Sequence, residues 1–478
     1  MATISSPGVG SGLDVNSIVT QLVAIERQPI IKLQTQATSL QTKLSAFGKL
    51  QSDLSALRDA ASALSTPSTW NQTGGTSSDS ASVTVTTDAT NLPGSYSVQV
   101  TQLAQAQSNI SKTYAASTDF VGEGTLHIEL GSWDDTTFTA KPNATAIDIA
   151  VGPPAKSLAE VRDMVNAANA GITATVLTDA SGARLVFRSS ATGAVNGFKV
   201  TVTDTDGGNV DTSGLSALAY DPSVGVVTMA QALAAANASA LINGAPVTST
   251  SNTLTNVVDG MTLQLQRETT APVQITTAPD KDAIRKKVEA FVTAYNDLNS
   301  ELATQTKYDA ASKTAGTLQG DSAAVSLRAS LRNTLRGNSA VSTTFTRLAD
   351  IGFDVQQDGS IKLDSKKLDN ALANLTELKK LFSNSDTLVP ANNGFATLFR
   401  TQASQALGID GSIATRSDGL RDSISRNEKR QAELEARVAL TEARLRKQYT
   451  SLDTQMGQLQ SLSTYVTQQM AMLNNSKG

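Results

Sequence analysis

The chain has 478 residues, 40% hydrophobic, 4% aromatic and 17% charged, with a formal net charge of −4 and a mean hydropathy of −0.15. Such a length implies about three domains, and the mild acidity gives no electrostatic basis for binding nucleic acid or an anionic membrane. Cysteine is absent and His127 is the single histidine, which excludes disulfides, thiolate chemistry and multi-histidine metal sites within one chain.

Residues 1–12, MATISSPGVGSG, lack the basic and apolar regions of a cleaved secretory signal and are expected to form a flexible arm. Asp14 is placed to cap a helix bearing Val15, Ile18, Val19, Leu22 and Ile25. Pro29 should end or kink it. A second helix then carries Leu33, Ala37, Leu40, Leu44, Phe47, Leu50, Leu54, Leu57, Ala61 and Leu64, in steps of four and three.

Composition shifts at Thr66-Pro67-Ser68 to Gly, Ser and Thr, and period-two alternation takes over. It predicts strands at Val83–Thr86, Tyr96–Val100, Leu126–Leu130, Ala146–Val151, Phe198–Val202, Met261–Gln266 and Val273–Thr276, with a hairpin at Ile172–Leu177 and Arg184–Arg188. Leu158, Val161 and Val165 mark a short helix, and the Ala-rich run Ala230–Ala240 is expected to form another. Helical spacing returns after Asp280, with Ile284, Val288, Phe291, Tyr295, Leu298 and Leu302 on one face. Asp321 should cap a further helix. Asp358-Gly359 signals a hairpin, and a helix through Leu368, Leu372, Leu375, Leu378 and Leu381 follows. Gly408–Gly419 is expected to be a flexible joint.

The last stretch places Leu420, Ile424, Asn427, Gln431, Leu434, Val438, Thr441, Leu445, Tyr449, Leu452, Met456, Leu459, Ser463, Val466, Met470 and Leu473 at steps of four and three, with one stutter between Leu445 and Tyr449. Spacing of this kind specifies a coiled-coil helix on the order of 80 Å long, whose narrow apolar stripe requires partner helices. The N-terminal stripe supplies one at the other end of the chain. The length of both stripes argues for packing that also involves other subunits. Asn427, Gln431, Thr441 and Ser463 interrupt the seam and should make it a weak, reversible grip.

No stretch carries the pattern of a catalytic, cofactor or metal site. Gly8–Gly12 lacks a preceding strand and a Lys-Ser/Thr ending, so it is no phosphate cradle. In the Asp204–Asp211 run, Gly208 and Asn209 stand in the reverse of the order a calcium loop needs, and Leu215 stands where a glutamate is required. His127 shares a strand face with Glu129, which suits a satisfied or exposed side chain. Asp134 and Asp135 are adjacent and suit a surface turn.

Several segments resemble the hook-associated protein 2 family of bacterial flagellar filament caps. They are Gly10–Val19, Glu26–Pro29, Ala290–Leu298, Leu348–Gly352, Asp358–Asp364, Asp410–Arg416, Leu445–Asp453 and Tyr465–Met470. Ser157–Val202 is similar to a small module of flagellin-related proteins, while the opening residues do not resemble flagellin itself. The resemblance implies an α+β multidomain chain, with terminal coiled-coil helices and a helical stalk into which two β-rich head domains are inserted. The expected domains are 1–65 (arm and leg helices, pairing with 416–478), 66–119 with 236–279 (first head), 120–235 (second head), 280–415 (stalk) and 416–478 (leg helix).

It further implies a secreted structural protein at the filament tip, exported by the flagellar type III route, and no enzyme. As a pentamer or hexamer it would promote flagellin insertion and polymerisation, alongside hook–filament junction proteins. A cytoplasmic chaperone would hold its C-terminal helix before export. No cofactor, nucleic acid or membrane insertion is expected. The candidate contact residues are Ile18, Leu22, Ile25, Leu33, Leu40, Leu44, Phe47, Leu54, Leu420, Ile424, Leu434, Val438, Leu445, Leu452, Met456, Leu459, Val466, Met470 and Leu473. The alternative is a tip adhesin whose heads bind host mucin or surface glycans.

Overall fold

The computed structural model describes residues 14–475, with side chains through Met472. The helices are α1 (Val15–Glu26), α2 (Gln28–Ser65), α3 (Leu158–Ala168), α4 (Lys281–Thr306), α5 (Ser322–Leu335), α6 (Ser365–Leu372), α7 (Leu375–Ser383), α8 (Phe395–Leu407) and α9 (Ser412–Asn475). The chain forms two compact units, one from Ser68 to Ala283 and one joining the residues up to Pro67 with Ile284 onward.

The second of these units is helical. The Asp14 carboxylate caps α1 by accepting the Ser17 N–H at 2.9 Å. Pro29 sits in the first turn of α2, where its missing N–H leaves no helical bond unmade. The C-terminal half of α2 buries Phe47, Leu50, Leu54, Leu57, Ala61 and Leu64 against α8 and α9. Few aromatic residues exist, yet this core gathers many of them. Phe291 lies 5.2 Å from Phe399 and 6.2 Å from Phe353, Tyr295 lies 6.0 Å from Phe399, and Phe353 lies 6.1 Å from Phe382. Each buried aromatic contributes about 1.5–3 kcal/mol from its area alone.

Two expectations fail here. The single helix through Leu368–Leu381 is two, because the Asn374 side chain accepts the Glu377 N–H and starts α7 afresh. Gly408–Gly419 is not a flexible joint. Helix α9 begins at Ser412, buries Ile413 and Ser417, and is pinned by Arg416 to the Asp321 carboxylate at 2.7 Å. Just before that stretch, sequence reading missed α8, whose Phe395, Phe399, Ala403 and Ala406 are buried at helical spacing.

Glu377, in the first turn of α7, accepts from the Lys380 ammonium at 2.7 Å, the Ser342 hydroxyl at 2.8 Å and the Thr343 N–H at 2.7 Å. These donors, Lys380 foremost, pull its carboxyl down to about 2. Because an unfolded glutamate titrates near about 4.3, this clamp stabilises the fold above that pH. The contribution is lost as pH falls from there through about 2. Melting temperatures of the natural chain and Glu377→Gln should therefore differ near neutral pH and converge in acid; a constant difference would contradict the clamp.

The other unit is β-rich and holds two cores. In the first, a five-stranded antiparallel sheet runs in the order Thr73–Ser77, Val273–Pro279, Gly94–Gln102, Ala238–Ile242, Ala245–Ser249. It shares its core with a three-stranded sheet of Thr253–Val258, Met261–Leu265 and Val83–Thr87. The Ala-rich helix expected at Ala230–Ala240 is instead two strands, Ala230–Leu233 and Ala238–Ile242. Burial overrides the helical preference of alanine, because Ala238, Ala240 and Ile242 alternate into the core beside Val98 and Val100. Asn243-Gly244, both at positive φ, then turns the chain into a hairpin.

The second core lies between two antiparallel sheets with α3. The long strand Phe120–Asp134 is flanked by Gly197–Asp204 on one edge and by Ile147–Ser157 and Thr137–Ala140 on the other. Opposite it run Ala230–Leu233, Ser108–Ile110, Gly182–Ser189 and Ile172–Asp179. Strand Ser108–Ile110 thus pairs within this core, although it falls in the span 66–119 expected for the first head. A capping box of Ser157 and Glu160 starts α3, which buries Leu158, Val161 and Val165. His127 meets Asp148 on the neighbouring strand, Glu129 pairs with Lys199 at 3.0 Å, and Asp135 occupies a turn.

Side-chain amides complete strand edges in both units. Each takes one N–H and one C=O of a single residue, as a neighbouring strand would: Asn166 at Ala174, Asn252 at Ala104, Gln107 at Phe198 and Asn296 at Ile361. Removing Asn166, Asn252 or Asn296 leaves two backbone groups short of partners, at about 1–3 kcal/mol, whereas the Phe198 carbonyl would keep its bond from Trp133. Asn296→Ala should lower the melting temperature of the helical unit by several degrees; an unchanged transition would show that the amide adds nothing.

Candidate assembly interface

The helical unit brings the two ends of the chain together. Asn427 on α9 donates to Gln36 on α2 at 3.4 Å, and Arg446 donates to Asn16 on α1 at 3.1 Å. The number rises along one helix as it falls along the other, so α9 runs antiparallel to α1 and α2. Val15, Val19, Val23 and Ile30 are buried on this seam with Val438, and Leu434, Leu445 and Tyr449 pack against them. The stripe read in the sequence of α9 is therefore covered within the chain as far as Tyr449.

The candidate residues divide into three groups. Phe47, Leu54, Leu420 and Val438 are buried in the unit's own packing. Ile18, Leu33, Leu40, Leu44, Ile424, Leu434 and Leu445 are half-buried along the seam. Leu22, Ile25, Leu452, Met456, Leu459, Val466 and Met470 are exposed, Ile25 at 68% and Met470 at 63%. The side chain of Leu473 lies outside the described residues. Asn427 and Gln431 belong to the intrachain seam: Asn427 is buried, and its Oδ1 accepts from Gln431 at 2.5 Å. This corrects their reading as weak points of a grip between molecules.

Sequence spacing missed part of the surface. Helix α1 carries apolar residues on two stripes, Val15-Val19-Val23 and Ile18-Leu22-Ile25, and spacing alone does not say which faces α9. Leu440, Leu462, Tyr465 and Met472 are also exposed, off the stripe of fours and threes.

Charge distinguishes the two halves of α9. From Arg416 to Lys447 it alternates basic and acidic residues, but from Gln448 to Asn475 Asp453 is the one charged residue. The remaining polar positions there are chiefly Gln, Ser and Thr. A helix surface of this kind docks by apolar area and amide hydrogen bonds, without strong ionic steering. Among the described residues no group of acidic and histidine side chains is arranged to hold a metal, and no helix is long and apolar enough to cross a membrane.

A helix pair that leaves an apolar, charge-poor strip uncovered is the kind of surface by which subunits of larger assemblies dock. The comparisons give the chain's family. The models for the N-terminus and C-terminus of flagellar hook-associated protein 2 match residues 11–107 and 235–461. Flagellar hook-associated protein 2 of Escherichia coli (strain K12) is 31% identical over 100% of both chains. The A-type flagellar hook-associated protein 2 of Pseudomonas aeruginosa is 30% identical over 98% of this chain and 97% of its own. The crystal structure of the D1-D2-D3 domains of the flagellar cap protein FliD from Escherichia coli superposes with a TM-score of 0.59 at 28% identity, covering 79% of this chain and 99% of that one. The chain belongs to the flagellar hook-associated protein 2 family, and it is a structural protein, not an enzyme.

The seam and the exposed stripe differ in a measurable way. Val19→Asp places a charge in the α1–α9 contact and costs several kcal/mol there, so hydrogen exchange should accelerate in residues 15–30 and 434–449. Ile25→Asp should leave exchange unchanged. Equal effects from the two substitutions would contradict the seam.

Proposed function

We propose that this chain is the subunit of the cap on the distal end of the bacterial flagellar filament, where it promotes insertion and polymerisation of exported flagellin. Family membership supports the role, since the Escherichia coli relative of known structure is a flagellar cap protein. The observation that carries the mechanism is the uncovered end of α9, where Leu452, Met456, Leu459, Val466 and Met470 continue a seam that is closed upstream by α1. A surface that is apolar yet nearly free of charge can hold a neighbouring helix and release it, because no buried ion pair must be broken on departure.

In this reading the two β cores are the heads, parted near residues 107 and 236. The helical unit is the stalk, and the terminal helices are legs that contact filament subunits. The subunits form a pentamer or hexamer and work beside the hook–filament junction proteins. Before export, a cytoplasmic chaperone covers the same strip of α9. The adhesin alternative draws no support from the tryptophans: Trp70 is buried, and Trp133 packs on Phe138 and Tyr220 and donates to the Phe198 carbonyl.

A strain lacking the gene tests this. It should shed monomeric flagellin into the medium and carry bare hooks, and the full chain should restore filaments. A chain carrying both Leu459→Asp and Val466→Asp, exposed positions whose substitution leaves the fold intact, should fail to restore them. Filaments of normal length in the deletion strain would overturn the cap reading.

A further inference from the structure

Helix α5 carries Arg328 and Arg332 one turn apart, with Arg336 a turn further on at its C-cap. Beneath it, α4 presents Tyr295 and Asn299, also one turn apart. Arg332 is used structurally. Its guanidinium lies against Gly359 at the hairpin tip, where an added Cβ would meet it at 2.2–2.4 Å, and it donates to the Asp358 carbonyl and to Asn299 Oδ1. Arg328 is not used in this way: among the described residues it has neither a hydrogen bond nor an ion pair.

Three polar atoms here are buried without partners: Arg328 Nε, Arg332 Nε and the Tyr295 hydroxyl. All three can donate. Buried donors are ordinarily satisfied, at a cost of about 1–3 kcal/mol each when they are not. The nearby acid does not meet the need, since the Asp358 carboxylate accepts from the Ser360 N–H at 2.9 Å and the Ser360 hydroxyl at 2.7 Å within its own turn. Two arginines thus stand one turn apart on α5, and the Asp358 carboxylate acts on both through its charge while its hydrogen bonds go to Ser360. Burial and the neighbouring charge of Arg332 both push Arg328 below its usual range. Both arginines remain partly open to solvent.

We propose that Arg328, Arg332 and Tyr295 form an oxyanion-binding site on the helical unit, which takes a carboxylate or phosphate group. An oxyanion offers several acceptor oxygens to donors that lack partners and offsets the guanidinium charges. The proposal does not depend on the cap function.

Inorganic phosphate, titrated into the full chain at constant ionic strength, is the direct probe. The melting temperature should rise saturably, and the Nε–H resonances of Arg328 and Arg332 should shift with the same midpoint. Arg328→Gln, which leaves the Arg332 contact to the hairpin in place, should fold and lose both responses. No saturable response, or the same response in Arg328→Gln, would mean an adventitious ion only and overturn the site. Sedimentation of the assembled full chain separates the two sources. Dissociation at saturating phosphate identifies a carboxylate of a neighbouring subunit as the occupant, and unchanged assembly identifies the free ion; either result upholds the site.

Discussion

The antiparallel seam between α9 and the N-terminal helices is the contact on which the helical unit depends. It joins the two ends of the sequence, with the residues from Ser68 to Ala283 lying between them in the chain. Its inner part, where α2 meets α8 and α9, is an ordinary hydrophobic core. Its outer part, where α1 meets α9, is thin: four aliphatic side chains of one segment against a few of the other. Such a contact has little area to lose when it opens, so it belongs to the low-stability end of the molecule. Where α9 meets α2, the buried Asn427 with Gln431 and Gln36 adds a polar layer to the seam. A polar layer lowers stability but favours the one register in which the amides meet. Helix α9 is thereby held in alignment without being held tightly.

The same amide chemistry recurs where strands end. Asn166, Gln107 and Asn296 each complete the hydrogen bonding of a strand residue in the way another strand would, and Asn252 does the same for Ala104, just beyond a strand end. An unpaired strand edge recruits other chains. A side-chain amide at such a position takes the backbone groups that another strand would otherwise pair with. This suits a chain whose work is assembly, because the wrong contacts must be suppressed as firmly as the right ones are offered.

Much of this was legible in the sequence. The 4-3 spacing of α2 and α9, the strands with strict alternation, the caps Asp14 and Asp321, and the Asp358-Gly359 turn all came from local patterns whose physical cause is local. What was not legible depended on tertiary context. Alanine is neutral enough that Ala230–Ala240 takes whichever form the neighbouring strands impose. Gly408 and Gly411 suggested flexibility, but Ile413 and the Arg416–Asp321 pair fix the chain directly after them. Among the candidate contact residues, spacing identified the stripe but not its occupant. Val438 and Met470 occupy the same kind of position, yet one is covered by α1 and the other is exposed. The arginine pair on α5 has no sequence signature, since its partners come from α4 and from the hairpin.

In the proposed function, the uncovered end of α9 touches flagellin as the filament grows. A photo-crosslinking amino acid at Val466, in cells assembling filaments, tests it directly. The account predicts a covalent adduct with flagellin that appears during growth and is absent when the crosslinker replaces Val19. Adducts confined to this chain itself, or none at Val466 while filaments elongate normally, would contradict it.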